Sequence, residues 1–203
     1  MALILAIMKT LIVHPEDDTT KFLTGIYATL TNKTIITGGV TKVELQKHID
    51  VNDRVLLLGH GTPMGLLSMN RFPDCGSYII DYSMVESIRS KKNNVFIWCN
   101  SDEFVHRHSL EGVYSGMFVS ELCEAWCFDF LDIDQDSINE SNNEFSAIVS
   151  KHIDERVDVF YKNVIAEYGV LAKRNPIALF NLNRLYLTIS DHNVCPIKVG
   201  NTL

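Results

Sequence analysis

Short apolar runs and amphipathic stretches alternate along the first hundred residues. Residues 3–13 read as a strand, and the turn Pro15-Glu-Asp-Asp18 opens a helix near 19–30. A short strand at 34–37, a Gly38-Gly39 break and a helix around 42–48 follow. Val55-Leu-Leu-Leu58 is apolar throughout and bounded by turn signals, as a strand covered on both faces must be. Residues 62–80 carry Pro63, Gly65, Pro73 and Gly76, with apolar stretches at 66–69 and 77–80 that fit a hairpin. A helix at 82–90 leads to the buried strand Val95-Phe-Ile-Trp98. This alternation predicts an α/β fold, a three-layer sandwich with a mainly parallel central sheet and helices on both faces.

The pattern changes after Cys99. Gly112 to Leu122 is expected to hold a helix, and Ala125 to Phe130 another strand. Ser141-Asn-Asn-Glu144 matches a capping box, in which serine and glutamate satisfy exposed amides at a helix start. Apolar residues from Phe145 to Tyr168 then recur at helical spacing until Gly169, predicting one long helix. Strand-like material from Ile177 to Ile189 closes what reads as a single domain over 1–203, without repeats or linkers.

The chain has 203 residues, enough for one domain with a substantial core. Its formal charge of −7 argues against nucleic acid as a partner, which calls for a basic footprint. Between residues 101 and 140 ten acidic residues face one basic residue, Arg107, so the acidity is concentrated. No apolar run reaches the roughly 18–20 residues of a membrane span, so no membrane association is expected. The opening Met1-Ala-Leu-Ile-Leu-Ala-Ile-Met8 lacks a preceding basic segment and is cut off by Lys9, unlike an export signal. It reads as the start of the first strand, or as an early start with Met8 the alternative. Five cysteines in an irregular spacing, without an export signal, are expected as reduced thiols in a cytoplasm.

The most informative residues are His60 and Cys99, each directly after a buried strand. In an open parallel sheet, sites form at the carboxyl ends of the strands. A helix at 82–90 supplies the crossover that sets the two strands parallel, about 4.8 Å apart if adjacent. A thiolate there attacks an acyl carbon while an imidazole moves the protons. Gly61 leaves room for a carbonyl to approach a backbone amide that faces the developing oxyanion. The plainer alternative is a tight Gly-His-Gly turn beside a buried apolar thiol.

A hydrophobic block ending in His60-Gly61, then a second ending in Cys99, resembles the caspase-like cysteine peptidases, most of all their bacterial CHAT and clostripain-type members. The resemblance covers about residues 8–130, and the stretches at 66–69 and 77–80 fall where relatives often have a small hairpin. It implies Cys99 as nucleophile, His60 as general acid/base, and the amides of Gly61 and Cys99 as the oxyanion hole. It further implies a peptide or protein substrate and no cofactor. Ile97 and Trp98 depart from the acidic or amide residue and the alanine that many relatives carry before the cysteine. Asp102 and Glu103, with Glu111, are candidate walls of a pocket for a basic side chain; a solvated acidic loop is the alternative.

Other motifs rank lower. Gly59-His-Gly-Thr-Pro-Met-Gly65 lacks the immediate amphipathic helix of a phosphate cradle. Asp132-x-Asp134-x-Asp136 begins like a calcium loop but has Ser137 at the turn position and Asn143 where a bidentate carboxylate belongs. His106 and His108 with Glu103 have the donors for a metal but sit in a polar loop, and no metal is expected. The expectation is therefore a cysteine endopeptidase. Its rivals are a catalytically silent interaction module of the same fold, or another hydrolase or phosphate-binding enzyme using His60 alone. Oligomeric state is left open.

Overall fold

The computed structural model describes residues 8–189. Six strands form one sheet: β1 (Thr10–Val13), β2 (Lys33–Ile36), β3 (Arg54–Leu58), β7 (Val95–Ile97), β8 (Gly112–Ser115) and β9 (Leu185–Thr188). Their order is β2-β1-β3-β7-β8-β9, parallel throughout except for β9. A second sheet of β4 (Gly61–Thr62), β5 (Gly65–Leu67) and β6 (Tyr78–Ile80) is antiparallel and follows His60 directly. The helices are α1 (Lys42–Val51), α2 (Val85–Arg89), α3 (Ser101–Arg107), α4 (Leu122–Cys127), α5 (Gln135–His152), α6 (Val157–Ala172) and α7 (Pro176–Leu182). The main sheet is mostly parallel and flanked by helices, as the alternation predicts.

Alternating side chains of the strands feed two separate cores, because successive residues of a strand point to opposite faces. Ile12, Leu56, Leu58, Ile97 and Val113 pack with residues of α5, α6 and α7. Leu11, Val55, Leu57, Phe96 and Tyr114 pack with α1, α2 and α3 on the other face. All five residues of β3 are buried, which explains why its sequence shows no polar alternation.

Several expectations are corrected. The first strand is described only from Thr10, residues 1–7 lying outside the described part. The helix expected near 19–30 is a 3-10 helix over Lys21–Tyr27, with Gly25 in its middle. Gly112–Ser115 is a strand, not a helix, and is fully buried between β7 and β9. The strand expected at Ala125–Phe130 does not form; Leu122–Cys127 is a helix, with Glu121 and Glu124 forming a reciprocal cap at its start. The long helix is two helices, and Ser141 is no cap: it lies inside α5, its hydroxyl 2.7 Å from that of Tyr168. The true cap is Asp134, the middle acid of the calcium-like motif, which accepts from the Ser137 amide.

Arg54 explains the break between the two helices. This buried guanidinium donates to the Ile153 carbonyl at 2.5 Å and to Asp154 at 2.8 Å, holding a helix end against the base of β3. Gly169 does not end α6, which continues to Ala172. Residues 177–189 are not strand throughout: Asn175 caps α7, Pro176 occupies its first turn, and only Leu185–Thr188 forms a strand.

Candidate functional site

The register of the two central strands brings His60 and Cys99 together. Leu58 of β3 pairs with Ile97 of β7, and the Gly59 amide donates to the Ile97 carbonyl at 3.0 Å. Each reactive residue lies two positions beyond that aligned pair, at the carboxyl edge of the sheet. Gly59 turns the chain out with φ +133°, a backbone conformation L side chains rarely adopt. Both residues border one crevice with Thr20, Leu23 and Phe118.

Trp98 ties the two turns. It is 1% exposed, edge-on to Phe96 and Phe104, and its Nε1 donates to the Thr62 carbonyl at 3.1 Å. A Cβ on Gly61 would fall 2.0 Å from the indole, so this tryptophan is what requires glycine after His60. The Trp98 indole thus packs against Gly61 and Thr62 of the turn after His60 on one side and against Phe96 and Phe104 on the other. The Leu67 amide donates to the His60 carbonyl at 2.9 Å, making that pair a hydrogen-bonded one. Alternation along an antiparallel ladder then turns the Gly61 N–H away from β5.

His60 is held by the loop after β1, a contribution the sequence reading missed. Its Nε2 lies 3.0 Å from Asp17 Oδ2 and 2.7 Å from Thr19 Oγ1. The Thr19 hydroxyl donates to Asp17 Oδ1 at 2.8 Å, and the Thr20 amide and hydroxyl donate to the same oxygen. Burial opposes ionisation of Asp17, but these bonds from Thr19 and Thr20 hold its carboxyl below the ordinary value. An ionised carboxylate only accepts, and the Thr19 proton is already committed to it. Nε2 must therefore carry the imidazole proton, which leaves Nδ1 as the basic nitrogen. The signal available was an acid in the turn four residues beyond a third buried strand. Behind this network His14 is fully buried between Tyr27 and Thr20, and burial pushes it down to about 4, so it stays neutral.

Cys99 is half-buried and differently situated. Its thiol points to the Phe118 carbonyl at 3.6 Å and to Glu124 Oε1 at 3.9 Å. Burial, seconded by the charges of Glu124 and Glu121, pushes the thiol up to about 11. The crevice holds about 20 Å³, room for roughly one water. Asn100 follows in the left-handed conformation, with φ 64°, to start α3.

Asp102 and Glu103 do not border this crevice. Both ride on α3, whose Phe104 and Val105 pack on the opposite face of the sheet. Glu103 is exposed, and Asp102 has an enclosed Oδ1 without a partner. The acids that do face the reactive pair are Asp17, Glu121 and Glu124. His106 bonds the Tyr114 hydroxyl at 2.8 Å, and among the described residues no cluster of three His, Cys, Asp or Glu side chains is arranged to hold a metal. Cys75 is buried, while Cys123 and Cys127 are exposed on α4. No helix among the described residues is long and apolar enough to cross a membrane. No family model matches the chain, and neither a curated protein nor a solved structure matches it.

Proposed function

We propose that the chain is a thiol-dependent hydrolase in which Cys99 is the nucleophile, His60 the proton carrier and Asp17 the residue that positions His60. More particularly, we read it as a caspase-like cysteine endopeptidase. The observation that carries this is the pairing of Leu58 with Ile97, which sets the two reactive residues side by side beyond a buried parallel sheet. The small antiparallel sheet that begins at Gly61, directly after His60, supports the finer assignment.

In the proposed reaction Cys99 Sγ attacks the scissile carbonyl carbon as its proton passes to His60 Nδ1. The resulting oxyanion accepts from the N–H groups of Gly61 and Cys99. The C–N bond then breaks while Nδ1–H protonates the leaving amine, giving a thioester and a free amino terminus. Water attacks the thioester, losing a proton to Nδ1, and collapse returns that proton to sulfur and releases the acid. Asp17 stabilises the imidazolium at each turn. A thiol held near 11 is protonated at rest, so in the proposed reaction attack on a peptide carbonyl goes with transfer of the proton to His60, not through the small thiolate fraction that bulk base supplies to a simple alkylating agent. Substrate entry requires the thiol to leave the Phe118 carbonyl and the crevice to widen.

The same closed crevice and protonated thiol favour a second reading, a silent interaction module. Intact-mass labelling by peptide acyloxymethyl ketones separates the two. A single adduct, absent in Cys99→Ala and slowed in His60→Ala, is expected of the peptidase. No adduct on folded protein contradicts it and favours the module.

A further inference from the structure

The corner where α5 meets α6 holds a cluster of charges that the proposed reaction does not use. His152, the last residue of α5, is 6% exposed, and both of its ring nitrogens face carboxylates. Nδ1 lies 2.9 Å from Glu155 Oε1 in the turn, and Nε2 lies 2.9 Å from Glu167 Oε1 on α6. Each carboxylate is fixed by a second donor. Asn163 Nδ2 donates to Glu155 Oε2 at 2.7 Å, and Lys151 Nζ donates to the two oxygens of Glu167 at 2.7 and 2.8 Å.

A neutral imidazole has one N–H and one bare nitrogen, and a bare nitrogen at 2.9 Å from a carboxylate oxygen is repelled by it. The arrangement therefore calls for the doubly protonated ring, which donates on both sides. The last turn of α5 favours a positive charge as well, because unpaired carbonyls make it the negative pole of the helix. The other charges at the corner are matched among themselves: Arg54 of β3 with Asp154, and Arg156 with Asp158. Arg54 and His152 thus fasten the same corner, one to the sheet and the other to α6. The guanidinium stays charged throughout the range in which an imidazole titrates.

We propose that His152 is a pH-sensitive clasp between α5 and α6, closed while its ring is an imidazolium and released when the ring loses a proton. The clasp is independent of the peptidase reading. Burial opposes charge on the ring, but the hydrogen bonds to Glu155 and Glu167 outweigh it and raise the ring above its ordinary value of 6.5. The clasp is therefore whole below 6.5 and is lost as pH rises through the folded value. At the acid end the bond from His152 lowers Glu155, and the bonds from Lys151 and His152 lower Glu167. Their share is whole above the ordinary carboxylate value of 4.5 and is lost as pH falls through the folded values.

The test has two readouts. Imidazole Cε1–Hε1 resonances are titrated by NMR, the signal of His152 being the one missing from His152→Gln. Hydrogen exchange of the Glu155 amide, which donates to the His152 carbonyl at 2.9 Å, is measured at pH 6 and pH 9 and corrected for the intrinsic base-catalysed rate. The His152 midpoint is expected above 6.5, and lower in Glu155→Gln and in Glu167→Gln than in the unaltered protein. Corrected exchange should be about fivefold faster at pH 9, as loss of a charge-assisted hydrogen bond between partly exposed groups allows. In His152→Gln that difference should vanish. Asp154→Asn, which weakens the Arg54 fastening instead, should speed exchange by the same factor at both pH values. A midpoint at or below 6.5 overturns the proposal. So does corrected exchange that is equal at pH 6 and pH 9 in the unaltered protein, or a difference that persists in His152→Gln.

Discussion

His60 and Cys99 occupy equivalent places on neighbouring strands, yet the two ends are prepared differently. The histidine end is assembled at rest: Asp17, Thr19 and Thr20 form a closed network that fixes the ring and assigns its protons. The cysteine end is withheld, its thiol turned to a carbonyl and a carboxylate in a crevice with space for about one water. Strand register places both groups, whereas loops after other strands decide how ready each is. The β1 loop serves His60, and the chain after β8 covers Cys99.

The largest effect is expected where Trp98 ties the ends together. Gly61→Ala drives a Cβ into the indole and should destabilise the protein by about 3 kcal/mol, as overpacking of a dense core does. Urea unfolding checks it, and an unchanged midpoint would mean that the two turns move independently. Next comes the histidine network. Asp17→Asn should slow labelling by a peptidyl ketone about 100-fold, because general acid–base help of that order needs an oriented imidazole. The Cys99 thiol should titrate as before in this variant, since its raised value comes from burial and from Glu124 and Glu121. A large change in the thiol with no change in labelling would reverse the roles drawn for the two ends. The smallest effect is expected at the cysteine end. Glu124→Gln removes a negative charge that disfavours the thiolate, so the Cys99 pKa should fall and iodoacetamide alkylation at pH 8 should quicken by about threefold. Slower alkylation would show that Glu124 acts on the thiol other than by its charge.

The part of the fold legible in the sequence is the part where one face or both faces of an element meet the core. Val55–Leu58 and Val95–Ile97 are buried along their whole length, and their continuous apolar runs announce it. His60 and Cys99 follow from those runs because the ends of parallel strands are read directly off them. The two-helix arrangement was hidden because Phe145 and Tyr168 belong to the same core, so helical spacing continues across a break made by distant Arg54. Gly112–Ser115 and Leu122–Cys127 were exchanged in type, since burial between two strands and a reciprocal glutamate cap outweighed local propensity. Asp17 escaped notice as a turn residue. The charge excess of 101–140 was real but divided between opposite faces of the sheet, so sequence proximity to Cys99 pointed to α3 when the acids whose charges act on the thiol are Glu124 and Glu121.

The most direct test of a Cys99–His60 dyad compares two electrophiles on a Cys123→Ser, Cys127→Ser background, which removes the exposed thiols among the described residues. Iodoacetamide needs only the thiolate, whereas a peptidyl acyloxymethyl ketone also engages the histidine and the oxyanion amides. At pH 8, His60→Ala should slow the ketone about 100-fold and leave iodoacetamide nearly unchanged. Equal rates of ketone labelling with and without His60 would contradict the dyad.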